Sequence, residues 1–288
     1  MLNNGNNKLV KKSIGEKILY GSIFVFFILY SVILIFPYVW GLISSIKTPL
    51  EYYNPFDLPK SINFSNYAKA ITSMSVENIT IGDMTWNSIW FTFGSVIIST
   101  ECHSLGGYVL SKFHIKGRRL IMMIIMIPLL VPVFGAFPAS YNLMHDLKLV
   151  DSYLILLTAI SSLGFNTLII MSYYDNISWT YAEAGMMDGA GQWKIYWKLM
   201  RPQAMPIILT MFLLGFIGKW NDYMSAFLYL PNKLTLATGL YKYQEIAERK
   251  GNYPIYFAAS FMFVLPCIAL YSVFSKTMME NLSIGAIK

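Results

Sequence analysis

Residues 180–206 read TYAEAGMMDGAGQWKIYWKLMRPQAMP, a polar and charged stretch lodged between two long apolar runs. Thr180 is a good N-cap, and Glu183 three residues on completes a capping box, in which each side chain satisfies a backbone donor at the helix start. A helix is therefore expected from Tyr181 to about Met187. Gly189 and Gly191 break it, and a second helix runs from Gln192 to about Met200, ended by Arg201-Pro202. On the second helix Trp193 and Trp197 lie one turn apart, as do Lys194 and Lys198 on a neighbouring face. Ala182, Ala184, Gly185, Gly189, Ala190 and Gly191 are all small, and small residues let a backbone approach another surface closely. Two readings fit this pattern. One is a short helix inserted into a partner's groove. The other is an amphipathic connector lying on a bilayer with Trp and Lys at the headgroups.

The flanking runs set the class. The chain has 288 residues, 56% hydrophobic, 16% aromatic and only 13% charged, with a mean hydropathy of +0.50. A soluble domain carries about 25% charged residues, so a membrane protein is expected. The net charge of +7 does not point to nucleic acid. The basic residues cluster at the ends of apolar runs, as positively charged cytoplasmic loops require. Cys102 and Cys267 sit inside apolar runs with no metal or redox spacing, and read as small buried hydrophobes. Lys8, Lys11, Lys12 and Lys17 precede an apolar run too long for a cleavable signal core.

A helix needs about 20 apolar residues to cross a bilayer. Six segments qualify: about 18–46 with Pro37 expected to kink it, 89–110, 120–143 with Pro128 and Pro132, 154–174, 207–230, and 256–274 with Pro266. The expected fold class is an all-α membrane protein of six transmembrane helices in a single domain. One set of loops carries Lys8, Lys11, Lys12, Lys17, Lys112, Lys116, Arg118, Arg119, Lys194, Lys198, Arg201, Lys276 and Lys288. The opposite set carries fewer: Lys47, Lys60, Lys69, Lys148, Lys233, Lys242, Arg249 and Lys250. The first set is therefore assigned to the cytoplasm, with both termini and segment 180–206. The external loops are 48–87, read as a folded cap with a short helix near Asn66 to Thr72, a turn near 145–152, and a loop from Pro231 to Pro254. Sequons at Asn63, Asn78, Asn176 and Asn281 are read as chance.

Segment 180–206 resembles the coupling loop, the EAA motif, of ABC importer permeases. Glu183, Ala184, Gly189 and Pro202 match the motif, and Asp188 and Ala190 match its Asp-Gly-Ala form. Gly185 replaces the second Ala, at about 1 kcal/mol of helix propensity. Other stretches follow in the family's order. They are Phe36-Pro37 and Ser45-Ile46-Lys47 near the first span, Asn87-Ser88 at the second, and the run from Phe113 to Arg119 that closes it. Gly218-Lys219-Trp220-Asn221-Asp222 and the tail from Asn281 to Lys288 complete the set. The resemblance implies the smaller permease subunit of a carbohydrate ABC importer, with a type I importer fold in a bacterial inner membrane. It implies a second permease, two ATPase subunits or a homodimeric ATPase, and an extracellular solute-binding protein as partners, within membrane lipid. It implies that Glu183, Ala184, Gly185, Asp188, Gly189, Ala190 and Pro202 couple to the ATPase, and that the tail 280–288 reaches the ATPases. The sequence has no GxxxxGKS or GxxxxGKT loop. ATP and Mg are therefore expected on the partner ATPase, with no cofactor or metal on this chain and no catalytic residue.

Charged groups at membrane depth cost about 2.5–3.5 kcal/mol each on the insertion scale and are functional candidates by default. Glu101 and His103 on the second span are expected to bond to another helix or subunit rather than to a metal. Lys219 and Asp222 are three apart and can pair on one face, either as an external gate or as a salt bridge holding a helix end. The solute path is expected to draw on Tyr141, Asn142, Asn166, Tyr173, Trp220 and Asn221 with them, although Tyr and Trp are enriched at interfaces anyway. A permease for another polar solute such as glycerol phosphate is the alternative. An intramembrane enzyme would need a convergent constellation that His103, His114 and His145 do not form. A secondary transporter would show matching halves, which the Pro-bearing spans do not give.

Overall fold

Apolar runs fold as helices because, away from water, every backbone donor and acceptor must be paired within the segment. The computed structural model describes residues 14–54, 56–130, 135–161 and 163–286, with the backbone alone at 129, 130, 161 and 276–286. Its first helix, α1 (Ile14–Ser45), contains Pro37. A small cap follows: a 3-10 turn (Glu51–Tyr53), α2 (Ser65–Ser73) and a two-stranded antiparallel hairpin, β1 (Ser75–Val76) and β2 (Ile79–Thr80). Glu77 and Asn78 turn the hairpin with positive φ, as a tight two-residue loop requires. The hairpin is a small β element that the helical expectation omitted, whereas α2 falls where a short helix was expected.

The helical body consists of α3 (Ile81–Lys112), α4 (Arg118–Leu130), α5 (Ala136–Asp146), a 3-10 run (Tyr153–Ser161) and α6 (Phe165–Asp175). Segment 180–206 contributes α7 (Thr180–Met187), α8 (Gln192–Ile195), a π turn (Tyr196–Met200) and α9 (Arg201–Gln203). Then come α10 (Met205–Trp220), α11 (Tyr223–Tyr229), α12 (Leu236–Lys250) and α13 (Tyr253–Ala286). Pro132 and the end of the tail lie outside the described residues.

α3 is the axis of the fold, packed against α6, α10 and the 3-10 run. It buries Asn87, Ser88, Thr92, Ser95, Thr100, His103 and Ser104. These polar residues lower its hydropathy. Among the described residues only α1 and residues 253–275 are single helices long and apolar enough to cross a membrane. Two bent pairs, 153–160 with 165–175 and 192–203 with 205–220, also pass as pairs. α1 is the converse of α3: its apolar side chains from Ile14 to Leu42 are largely exposed. Such an area of bare hydrocarbon fits lipid and not water.

Close approach sets the α3–α6 contact. A Cβ on Gly107 would lie 2.9 Å from the backbone nitrogen of Met171 and 3.1 Å from the Thr167 carbonyl oxygen. Small residues at such crossings let helices pack backbone to backbone in lipid. One core cluster joins the start of α3 (Met84, Val96) to Leu234, Leu236, Leu240 and Trp220. Another joins its end (Tyr108) to Tyr174, Ala182, Ile195, Tyr196 and Met200.

Three expectations are corrected. The fifth run is not one helix: it breaks at Asn221–Asp222, where the Asp222 carboxylate accepts from Ser225 N at 2.9 Å and caps α11. The stretch from Pro231 to Pro254 is not only loop. Thr235 caps α12 by accepting from Thr238 N, and α12 buries Leu236, Leu240, Tyr243 and Ala247. Pro202 does not end the second helix of segment 180–206, which continues to Gln203. Pro202 lies in the first turn of α9, just after the π turn, where its fixed φ and missing N–H are tolerated.

Candidate functional site

The first half of segment 180–206 forms a short helix with one face exposed. Thr180 is not the cap. α7 begins at Thr180 itself, Thr180 N donates to Ser178 Oγ at 3.3 Å, and Ser178 Oγ donates to Thr180 Oγ1 at 3.0 Å. The expected box between Thr180 and Glu183 does not form: Trp179 precedes the helix with no side-chain cap bond, and Thr180 instead pairs with Ser178 two residues upstream. A full capping box does occur in the chain, between Thr80 and Asp83 at the start of α3.

α7 ends in a Schellman turn. Gly189 N donates to Met186 O at 3.0 Å and Ala190 N to Gly185 O at 2.9 Å, with Gly189 at φ +73°. This is the left-handed position that glycine fills without a Cβ penalty. Ala182 and Gly185 face inward, Gly185 against Leu199 and Ile195. Glu183, Ala184, Asp188 and Gly189 are exposed on the other side, with Met187 at 89% and Tyr181 at 55%. Beside them a groove of about 500 Å³ runs between Ser178, Thr180, Tyr181, Ala184, Asp188 and Leu199. Trp193 and Trp197 are also exposed, while Pro202 lies beyond the π turn.

The second half of the segment is tied to α3. Ser104 Oγ shares hydrogen bonds with Tyr174 OH at 3.1 Å and Tyr196 OH at 3.0 Å. The rings of Tyr108, Tyr174 and Tyr196 pack together around them. Glu101 meets Arg201, whose Nε donates to Oε2 at 3.1 Å and whose second nitrogen donates to Oε1. The bond expected from Glu101 to another element is thus to Arg201, a residue that the sequence assigned only to a basic loop. His103 is buried, and no group of three or more His, Cys, Asp or Glu side chains fit to hold a metal ion occurs among the described residues.

Lys219 Nζ donates to Asp222 Oδ2 at 2.9 Å and lies 4.3 Å from the centroid of the Phe91 ring. Both charged residues line a cavity of about 430 Å³ between α3, the 3-10 run and α10–α11, with Ser95, Ser99, Thr158, Ser225 and Tyr229. Asp222 thus holds a helix end and faces the cavity at once. The other expected path residues do not gather there. Trp220 is buried and donates to Phe263 O, and Asn221 donates to Ile217 O. Tyr141 stacks on His145 with exposed Asn142 beside it on α5. Asn166 is half-buried on α6, and Tyr173 packs on the cluster around Tyr174. The cavity hydroxyls of Ser95 and Ser99 were missed, yet they continue a series from Ser88 and Thr92 at spacings of four, three and four. That is one polar helical face inside an apolar run.

A cavity that holds a charged pair and several hydroxyls, in a chain whose first helix exposes bare hydrocarbon, fits an integral membrane protein. The chain belongs to the family described as the binding-protein-dependent transport system inner membrane component, whose model matches residues 103–276. It is 30% identical to the diacetylchitobiose uptake system permease protein NgcG of Streptomyces coelicolor over 91% of this chain and 86% of the relative. It is 24% identical to the melibiose/raffinose/stachyose import permease protein MelC of Bacillus subtilis, over 88% and 91%. Its structure superposes, with a TM-score of 0.75 and 25% identity over 92% of this chain and 98% of the other, on a chain of a bacterial ABC transporter involved in the import of the acidic polysaccharide alginate.

Proposed function

We propose that the chain is one of two permease subunits of an ATP-driven importer, moving a sugar or oligosaccharide delivered by an extracellular binding protein. The observation that carries this is the exposed face of α7. Glu183, Ala184, Asp188 and Gly189 lie exposed on a short helix ended by a glycine turn, beside an open groove. α7 is the cytoplasmic coupling helix that seats in an ATPase subunit, one of two that bind ATP and Mg. Gly185, Ala190 and Pro202 shape the segment from behind. Six spans carry the chain across a bacterial inner membrane with both termini inside, as the distribution of Lys and Arg supports. The solute path passes the cavity of Lys219 and Asp222, whose hydroxyls and charged pair match the donors and acceptors of a sugar. The names of the relatives support a carbohydrate over glycerol phosphate.

The test uses the complex purified from its host membrane and placed in vesicles with its binding protein. The panel is diacetylchitobiose, raffinose, an alginate oligosaccharide and glycerol phosphate. Import of a sugar driven by ATP is expected. Glu183→Lys should release the ATPase while the permease stays inserted. Normal solute-stimulated ATPase activity in that variant, or transport by this chain with no co-purifying ATPase, would sink the reading.

A further inference from the structure

Arg201 sits where the chain turns, since the axes of 192–203 and 205–220 meet at 77°. From this elbow its guanidinium grips Glu101 with two prongs, a fork that an ammonium cannot copy. The Trp197 ring lies under it, 4.8 Å from Cζ to centroid. Both charges are largely enclosed, with side-chain exposures of 19% for Arg201 and 32% for Glu101. One turn along α3, Ser104 binds Tyr196 of the same segment and Tyr174 of α6. A single bond is a pivot; two anchors a turn apart fix orientation as well as position. The π turn makes both anchors possible. In an α-helix, residues five apart point about 140° away from each other. The i to i+5 bonds of a π turn bring them toward one face, and Tyr196 and Arg201 bracket that turn.

We propose that Glu101 and Arg201 are a positioning pair that, with the Ser104–Tyr196 bond, makes the α7–α9 segment and α3 move as one body. The pair rests on the reading of α7 as the docking helix. Displacement arriving at α7 then reaches the helix that lines the solute cavity. Without the pair the elbow at Ala204 bends instead, and ATP is consumed while the cavity stays put.

The experiment counts sugar imported per ATP hydrolysed, with the sugar that the unaltered complex accepts. A solute-free readout is ATP-dependent protection of Ser95→Cys in the cavity from a maleimide, in a chain with Cys102→Ser and Cys267→Ser. Glu101→Gln and Arg201→Gln should each lower the ratio and the protection about fivefold or more, the low end of coupling between sites. ATPase should remain bound. Arg201→Lys should fall between, because the charge persists without the fork. The exchange Glu101→Arg with Arg201→Glu should recover more than half of the ratio. Should the exchanged chain fail to insert, Glu101→Cys with Arg201→Cys, joined by a short bifunctional maleimide, should recover it instead. An unchanged ratio in both single variants, or a joined pair that stays uncoupled, overturns the proposal. So does loss of the ATPase from Glu101→Gln, which would make the pair part of docking. Failure of the docking reading shows separately, as an ATPase retained by Glu183→Lys with its ratio intact.

Discussion

At Gly189 the backbone stands at φ +73° with no atom near the missing Cβ, so conformation and not space demands glycine. A β-branched residue there costs about 1–2 kcal/mol, or a factor of roughly 5–30 in the population of the formed turn. Gly189→Val should therefore lower sugar-stimulated ATPase activity by about that factor, while Gly189→Asn, which tolerates the left-handed region, keeps most of it. Equal loss in both would assign the effect to the side chain and not the turn. Asp222 allows a second separation. It caps α11 and accepts from Lys219. Asn also caps well, and losing a cap costs about 1 kcal/mol. In thermal unfolding of the solubilised complex, Asp222→Ala should thus melt below Asp222→Asn, and both below the unaltered chain. The reverse order would remove the capping role.

Between elements, α3 and α6 approach backbone to backbone. Leucine at Gly107 must push its first side-chain carbon into the Met171 backbone, and overpacking of this kind costs about 1–3 kcal/mol. Gly107→Leu should lower the yield of assembled complex, whereas leucine at Gly218, where nothing lies within 4 Å of an added Cβ, should not; equal yields would show that α3 and α6 are free to separate. These elements differ in how far the sequence exposed them. Apolar runs and the two-helix plan of 180–206 were legible because hydrophobicity, glycine and small residues act locally. The start of α7 was misread because Thr180 is a competent cap by residue type, yet the helix takes it in as its first residue with Trp179 ahead of it. α12 was passed over between two prolines, although Leu236, Leu240, Tyr243 and Ala247 keep helical spacing. Asp222 and Ser225 could have announced the break in the fifth run. The Glu101–Arg201 pair could not be read at all: its partners stand 100 residues apart, and no local rule links a carboxylate in one run to a guanidinium at the edge of another.

On the scale of the whole molecule, α3 acts as a ruler. Near its start, Asn87 donates to Leu234 O and Ser88 accepts from Leu236 N, so α12 and the cap gather there with Met84. Near its end, Ser104 and Tyr108 hold the α7–α9 segment. Met84 and Tyr108, both on α3, are about 36 Å apart at 1.5 Å per residue, and a bilayer's hydrocarbon core is about 30 Å thick. The two assemblies therefore occupy opposite water interfaces if α3 crosses, and under the proposed orientation the α7 end, with its excess of basic residues, faces inside. In a chain with Cys102→Ser and Cys267→Ser, an impermeant maleimide should label Glu77→Cys in intact spheroplasts. Asp188→Cys should react only after the membrane is opened. Labelling of both from outside would mean that α3 does not cross, and the ATPase would have no access to α7. Labelling of Asp188→Cys alone from outside would invert the protein and transfer the docking surface to the face where a binding protein, not an ATPase, arrives.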